Sequence, residues 1–249
     1  MTHRISSLFI IVICFATALT SQQTSGTIEY GRTQDWVKIM SNLPYMTQEE
    51  IDRQRLTWGK NTGRSSPYIL YFNEDESLYT YKEQTNENGY SWKRDDFVLI
   101  RDYEDKTIHD KLDFLGRTYV FKEEAPKYRW KILNEIKEVA GYLCMKAETV
   151  DTVKDIKIYA WFTDQIPVYG GPEGFYGLPG MILGLDYNDG DVIIEAKTVE
   201  FSDEKVELPI PKKIDKGRTL TIAEKNKRAK EYIAEAIEGR KNPYWQMRY

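Results

Sequence analysis

Two side chains are of the types that nucleophilic catalysis needs. Cys144 and His109 are the only cysteine and the only histidine after residue 14. A thiolate beside an imidazole base is a recurrent nucleophile in enzymes. Strand alternation places Cys144 on the same face as Lys146, whose charge would lower the pKa of the thiol. A lone cysteine is more often a small buried residue, and we favour that interpretation.

Metal chemistry has little support in the sequence. A single histidine in the body of the chain rules out a zinc site built on two. The acidic segment 186–191 is rich in oxygen ligands, but the calcium-loop pattern requires Gly and Glu where this chain has Asp191 and Lys197. Its Asp-Gly pair lies between two apolar runs and is a strong hairpin signal. We therefore expect a turn there, no metal and no other cofactor.

Other catalytic signatures are missing from the sequence. The chain contains neither a Gly-x-Ser-x-Gly elbow nor a phosphate-binding Gly-Lys-Ser motif. Carboxylates are numerous, but no pair stands in a motif that marks an acid and a base. We therefore predict no catalytic residue.

Residues 170–182 are rich in residues that control the backbone, with five glycines and two prolines. Glycine adopts positive φ without a Cβ clash, whereas proline fixes φ and keeps the preceding residue extended. We predict a loop of defined shape that ends in a tight turn at residues 178–180. Gly180 takes positive φ in that turn, and Met181 returns the chain to the core.

Aromatic side chains are the candidates for contact with a ligand. Residues 156–163 alternate as a strand, and the face opposite its core side carries Tyr159 and Trp161. Phe175 and Tyr176 lie in the glycine-rich loop, where they either anchor the loop or face a ligand. We favour anchoring for these two.

The elements that position these groups are predicted to be mostly strands. Connections between them are too short for crossover helices, which favours antiparallel pairing. The predicted strands cover 28–36, 66–72, 77–82, 97–101, 107–112, 117–122, 129–133, 141–150, 156–163, 181–187 and 192–199. Residues 83–96 are predicted to form a polar loop.

Two helices are predicted from capping boxes. Thr47 with Glu50 starts a short N-terminal helix that ends near Trp58, and Thr221 with Glu224 starts a C-terminal amphipathic helix. The expected fold is therefore mainly β. It is a strongly curved antiparallel sheet, either a half-barrel or an open barrel, with these two helices.

Charge and hydropathy predict how the chain is divided. A short basic start, an apolar run over 5–19 and a polar segment after it are typical of a signal peptide, which we place at residues 1–21. A β domain is expected over 22–208 and a basic linker with the helix over 209–249, packed on or extending from that domain. The net charge of −4 offers nucleic acid no obvious surface.

The last part of the sequence is basic. Residues 212–249 contain eleven Lys or Arg against five Asp or Glu. Such a block either lies against the acidic body, which we favour, or makes a peripheral contact with an anionic membrane surface.

A family resemblance adds to these predictions. Gly177, Leu178, Pro179, Gly180, Met181 and Ile182 resemble the signature of the GLPGLI family, with Met181 where that family usually has Leu. The segment around Cys144 is also similar to that family's pattern. The resemblance implies an exported protein of a Gram-negative bacterium, in the periplasm or at the outer membrane, without an established activity. It assigns these residues a structural part only.

A looser similarity to periplasmic lipoprotein carriers of the LolA type rests on the β-rich order and on residues 161–172. The export signal, the aromatic face at Tyr159 and Trp161 and the lack of catalytic motifs predict a non-catalytic cell-envelope protein. It is expected to bind an apolar or amphipathic ligand, or a partner protein. Two alternatives stay open. One is an envelope hydrolase that uses carboxylates, either a peptidase or a glycan-active enzyme. The other is a scaffold for an outer-membrane assembly.

Overall fold

A computed structural model describes residues 24–59, 63–85, 91–92 and 97–249. The predicted signal peptide lies outside the described residues, and so does most of the predicted loop over residues 83–96. Of that loop the structure describes two short paired strands, Gln84–Thr85 (β4) and Ser91–Trp92 (β5).

One open sheet of twelve strands dominates the described chain, in the order β14-β8-β7-β6-β3-β2-β1-β13-β12-β11-β10-β9. Strand β14 pairs in parallel with β8, and the other pairings described are antiparallel. The prediction of a mainly β, antiparallel and unclosed sheet is therefore confirmed. The strands are β1 Gly26–Gln34, β2 Ser65–Phe72, β3 Glu76–Tyr81, β4 Gln84–Thr85, β5 Ser91–Trp92, β6 Phe97–Asp102, β7 Thr107–Phe114, β8 Arg117–Glu124, β9 Lys131–Val139, β10 Tyr142–Asp151, β11 Ile156–Thr163, β12 Met181–Tyr187, β13 Val192–Phe201 and β14 Arg218–Thr219.

The helices are α1 Trp36–Ser41, α2 Gln48–Trp58 and α3 Ile222–Glu238. Both predicted capping boxes are present, one at Thr47 and the other at Thr221. Helix α3 buries Ala229 and Ala236 on the stripe that faces the sheet. None of the described helices is long and apolar enough to cross a membrane.

Helix α1 was not predicted, because the first strand was expected to continue to Trp36. The strand instead ends at Gln34. Asp35 then caps α1, and its carboxylate accepts a hydrogen bond from the Lys38 backbone N–H at 3.0 Å. An aspartate that satisfies a free N–H group at a helix start is a local signal. The apolar residues around it concealed that signal.

The sheet is strongly curved. Strands β6 and β7 near one edge line the same cavity as β10 and β11 near the other. Six strand spacings separate β6 from β11 in the sheet order, which would be roughly 29 Å in a flat sheet. The open side of this half-barrel is occupied by α3, by the connection between β8 and β9, and by residues 243–249.

Two groups of buried side chains hold these parts together. The main core fills the half-barrel and includes a stacked pair, Tyr68 and Tyr79, with ring centroids 5.2 Å apart. The second group joins α3 to β7 and β8 through Phe121, Leu220 and Ala229. Residues 209–249 therefore pack on the sheet, although the boundary predicted at residue 208 stays a prediction.

Candidate functional site

A cavity of about 720 Å³ lies on the concave side of the sheet, beneath α3. Most of its wall is apolar and aromatic, formed by side chains of the sheet, of α3, of the glycine-rich loop, of the connection between β8 and β9, and of residues 247–249. The apolar and aromatic lining comprises Phe97, Leu99, Ile108, Leu112, Phe114, Pro126, Tyr128, Val150, Val153, Ile158, Phe175, Tyr187, Ile222, Ala229, Met247 and Tyr249. This volume lies within the range of pockets that enclose one small ligand.

Arg101 and Asp110 form a buried ion pair in the cavity wall. Arg101 Nη1 lies 2.5 Å from Asp110 Oδ1, and Nη2 lies 3.1 Å from Oδ2. The two residues stand on neighbouring strands, β6 and β7. Arg101 Nε also donates to the carbonyl of Gly174 at 2.9 Å. The guanidinium thereby ties the glycine-rich loop to the sheet.

Glu173 is the centre of a second buried cluster. Arg248 Nε donates to its Oε2 at 2.6 Å, and Arg32 Nε lies 3.8 Å from its Oε1. Burial raises the pKa of Glu173, but the charges of Arg248 and Arg32 outweigh this, so that its pKa lies below the ordinary value. The carboxylate is therefore ionised at neutral pH. It accepts the buried Tyr79 hydroxyl at 3.4 Å as well.

The segment 247–249 is held by the same region. Arg248 Nη1 donates to the Tyr68 hydroxyl at 3.0 Å. Tyr249 donates its hydroxyl to Asp191 Oδ2 at 2.5 Å, and its carbonyl accepts from Arg32 Nη2 at 3.3 Å. Since Arg248 and Tyr249 also line the cavity, this segment forms one end of the cavity wall.

Two lysines lie on the α3 side of the cavity. Lys154 Nζ pairs with Asp151 Oδ2 at 2.8 Å. Lys225, on the first turn of α3, has no carboxylate within 4 Å among the residues the model describes. Burial lowers the pKa of Lys225, and the charge of Lys154 lowers it further.

The four predicted ligand-contact residues divide between two places. Phe175 lines the cavity, and its ring lies 4.6 Å from that of Tyr128. Tyr176 is half-buried beside it and donates its hydroxyl to the Pro126 carbonyl at 2.8 Å. Both thus anchor the loop against the connection between β8 and β9. Their contact with a ligand stays a prediction.

Tyr159 and Trp161 lie on the opposite face of β11 and are not among the residues that line the cavity. Lys146 Nζ lies 4.5 Å from the Tyr159 ring, and Lys137 Nζ lies 4.8 Å from that of Trp161. These half-buried rings are therefore covered by ammonium groups, as cation–π pairs. Their part in binding also stays a prediction.

The signature residues 177–182 form the turn that leads into β12. Gly180 has φ of +132°, and a Cβ there would lie 2.0 Å from the Thr163 carbonyl oxygen. Leu178, Met181 and Ile182 are buried, while Pro179 is exposed. The Ile182 N–H donates to the Gly170 carbonyl at 2.9 Å. The segment closes the loop on itself and brings no reactive group to the cavity.

Cys144 is a buried core residue, and the less favoured alternative of an activated thiol is not supported. The pairing register of β10 with β9 shifts between Met145 and Ala147. Cys144 faces the core, while Lys146 pairs with Glu135 at 2.9 Å. Burial raises the pKa of the Cys144 thiol to about 11. His109 lies on β7, and its Nε2 is 3.0 Å from Asp215. The two side chains are not assembled as nucleophile and base.

We expect Cys144 in the native protein to resist iodoacetamide. A pKa raised from 9.0 to about 11 lowers the thiolate fraction by about a hundredfold, and burial adds steric protection. The rate of alkylation, measured by mass spectrometry in buffer and in urea, checks this. The variant Leu143→Cys places a thiol at an exposed neighbouring position and serves as the control that reacts. Rapid labelling of Cys144 itself would contradict its burial.

The acidic segment forms the expected hairpin turn between β12 and β13. Asp191 points inward and accepts hydrogen bonds from the side chains of Asn42, Asn188 and Tyr249. Asp186 accepts from the Gly190 N–H at 2.6 Å. Within the described ranges, no group of three or more His, Cys, Asp or Glu side chains is placed to hold a metal ion.

A family model described as "Protein of unknown function (Porph_ging)" matches residues 148–184. The chain thus resembles an uncharacterised family. The match covers the end of β10, all of β11, the glycine-rich loop and the start of β12, so it includes Glu173 and the signature turn. The GLPGLI and LolA-type resemblances are not confirmed by it. No curated protein matches the chain.

The fold is similar to part of PNGF-II. One crystal form aligns over 80% of this chain and 31% of that chain, with a TM-score of 0.52 and 15% sequence identity. A second form aligns over 83% and 32%, with a TM-score of 0.51 and 15% identity. The chain therefore spans about a third of the length of PNGF-II. At this identity the likeness concerns the fold alone.

Most of the charged groups at the cavity were not predicted from the sequence. Arg101, Asp110 and Arg248 stand in segments where charged residues are expected on a solvent-exposed face. The available signal was weak. Arg101 and Asp110 lie at positions where the alternation of β6 and β7 calls for an apolar residue, and buried charges are normally paired.

Proposed function

We propose that this protein is a non-catalytic binding protein that encloses the apolar part of an amphipathic ligand in the half-barrel cavity. The cavity itself is the observation that supports this. Its volume of about 720 Å³ and its largely apolar wall suit an aliphatic chain. Each buried methylene contributes about 0.8 kcal/mol, so full burial of a ten-carbon chain contributes about 8 kcal/mol before the cost of association is subtracted.

Binding is favoured over hydrolysis by the state of the cavity carboxylates. A general acid at neutral pH needs a raised pKa. The pKa values of Glu173 and Asp151 are instead below their ordinary values, because nearby Arg and Lys charges outweigh the effect of burial. Asp110 is held in a two-point contact by Arg101. Each of these three groups has a partner that stabilises the fold.

The cell envelope is the proposed location. It follows from the predicted signal peptide at residues 1–21 and from the resemblance of residues 177–182 to the GLPGLI signature. The LolA-type similarity agrees with an acyl-binding cavity but rests on fold-level analogy. A partner protein that delivers or receives the ligand, and peripheral membrane contact by the basic residues of 212–249, belong to the same proposal.

Filling the cavity tests the proposal. Ala229 lies in its roof and is buried, so Ala229→Phe should place a ring in the space that a chain would occupy. We expect the affinity for decanol, measured by calorimetry, to fall at least about tenfold, which corresponds to about 1.4 kcal/mol. Ala234→Phe on the exposed face of the same helix should bind decanol like the wild type.

A second variant separates lost binding from lost folding. Leu112→Phe fills the cavity from β7, and thermal unfolding of each variant reports whether the fold persists. If a folded Ala229→Phe or Leu112→Phe protein binds decanol with unchanged affinity, the cavity is not the site. If the wild type binds neither decanol nor a co-purifying amphiphile found by native mass spectrometry, the binding function itself is wrong.

A further inference from the structure

The cavity is cationic although the protein is acidic. Seven basic and five acidic side chains line it, in a chain whose net charge is −4. Such a contrast in sign concentrates anions at a site. The basic lining consists of Arg101, Lys127, Arg129, Lys131, Lys154, Lys225 and Arg248, and the acidic lining of Asp110, Asp113, Glu148, Asp151 and Glu173.

Five of these seven cations already form ion pairs with carboxylates. In the inner part of the cavity, Arg101, Arg248 and Lys154 each hold a carboxylate. Nearer the solvent, Lys131 pairs with Glu148 and Lys127 pairs with Glu124, which lies outside the lining. Two lining cations have no carboxylate within 4 Å in the described part of the chain, Lys225 and Arg129.

Lys225 and Arg129 differ in their surroundings. Arg129 is exposed, so water and salt screen its charge. Lys225 is half-buried under the first turn of α3, with its Nζ 5.9 Å from the centre of the Phe121 ring. A partly buried ammonium group without an ion-pair partner gains stabilisation from a ligand that supplies a negative charge. Lys225 is thus the inner cation that an anion would satisfy.

We propose that Lys225 binds the headgroup of a singly charged anionic amphiphile whose chain lies along the apolar wall of the cavity. This inference rests on the proposed binding function. One inner cation without a direct ion pair matches one negative charge, because the nearby Asp151 and Asp110 are already held by Lys154 and Arg101 and act on Lys225 only at longer range. The headgroup chemistry is therefore a monoanionic oxygen acid, either a fatty carboxylate or a phosphodiester.

The lowered pKa of Lys225 agrees with this assignment. Burial and the charge of Lys154 disfavour the ammonium form more than the charges of Asp110 and Asp151 favour it, so the pKa of Lys225 is lowered. An anion placed beside Lys225 would favour the ammonium form again. The interaction would then be a charge-assisted hydrogen bond, which is stronger than a neutral one.

Ligands that differ only in their headgroups test the assignment. Decanoate, decanol and decylamine share one chain and carry a negative, a neutral and a positive head. We expect the wild type to bind decanoate about ten- to a hundredfold more tightly than decanol, and decylamine most weakly. Lysophosphatidylglycerol with a decanoyl chain carries a phosphodiester on a chain of the same length. Tighter binding than decanoate would identify a phosphodiester headgroup, and weaker binding a carboxylate.

The side chain is tested by Lys225→Met, which removes the charge and keeps a similar length. Its affinity for decanoate should fall about ten- to a hundredfold while that for decanol stays within about twofold. Lys225→Arg should keep most of the preference for decanoate. Lys230→Met, at an exposed position on the same helix, should bind both ligands like the wild type.

The outcomes separate the two proposals. Decanol binding with no preference for decanoate, or an unchanged preference in Lys225→Met, overturns the part given to Lys225 and leaves the binding function standing. A preference for decylamine overturns the sign of the headgroup. Absence of binding of all three ligands overturns the proposed function.

Discussion

Gly180→Ala is expected to destabilise the protein by about 3 kcal/mol or more. Gly180 has φ of +132°, a region that residues with a Cβ rarely occupy, and the added Cβ would lie 2.0 Å from the Thr163 carbonyl oxygen. That oxygen belongs to the backbone at the end of β11, so it cannot rotate away as a side chain would. Urea unfolding monitored by tyrosine and tryptophan fluorescence measures the loss.

A second glycine in the same turn supplies the control. Gly177 has φ of +89°, yet a Cβ there would meet nothing within 4 Å. Gly177→Ala should therefore cost about 1 kcal/mol, from backbone strain alone. Equal losses for the two variants would show that the close approach to Thr163 is not the reason for glycine at position 180. If the Gly180→Ala protein is as stable as the wild type but does not bind decanol, the turn serves binding and not folding.

Glu173→Gln is expected to cost about 3 to 5 kcal/mol, since it leaves two buried guanidinium groups without their carboxylate. Glutamine keeps the shape of the side chain, so the change reports mainly on charge. The Glu173 and Arg248 side chains are 8% and 25% exposed, which limits screening by solvent. The free energy of unfolding, again from urea titration, gives the size of the effect.

Two comparisons isolate the buried pair. Glu49→Gln breaks an exposed pair with Arg53 on α2 and should cost less than about 0.5 kcal/mol. Adding Arg248→Met to Glu173→Gln removes one unpaired charge and should restore part of the stability. If the double variant is as unstable as the sum of the single changes, the two side chains do not act as a pair.

The same pair predicts how stability depends on pH. The pKa of folded Glu173 lies below its ordinary value of 4.5, so its contribution is fully present above that pH. It is lost as the pH falls through the lower pKa of the folded state. Glu173→Gln should therefore flatten the acid side of the stability curve, and the part that remains belongs to groups such as Asp151. If Glu173→Gln and the wild type lose stability equally as the pH falls below 4.5, the lowered pKa of Glu173 is contradicted.

Strand and helix positions were largely predictable because their signals are local. The alternation of apolar residues in β11 and β12 located both strands at the bounds that the model has. Side chains three residues apart formed the two capping boxes. Such patterns need only neighbours along the chain. The two-residue strand β14 and its parallel pairing with β8 carried no comparable pattern.

Side-chain orientation was less predictable where a strand is irregular. The register between β10 and β9 shifts between Met145 and Ala147, where β9 has two more residues than β10, and Cys144 and Ala147 both lie in the core, three positions apart. Strict alternation would have placed them on opposite faces. The expected neighbour of Cys144, Lys146, therefore lies on the other side of the sheet. A bulge of this kind depends on pairing with β9, which the alternation alone does not reveal.

Four features follow from the amino-acid sequence alone: the mainly β composition, the two capped helices, the hairpin at the Asp-Gly pair and the glycine-dependent turn before β12. Each depends on interactions between residues a few positions apart. The cavity and the charges that line it, by contrast, form only when distant parts of the chain come together. Glu173 meets Arg248 across 75 positions of sequence, and Lys225 reaches the cavity because α3 closes the open side of the half-barrel. The curvature of the whole sheet creates these contacts, and no local pattern encodes it.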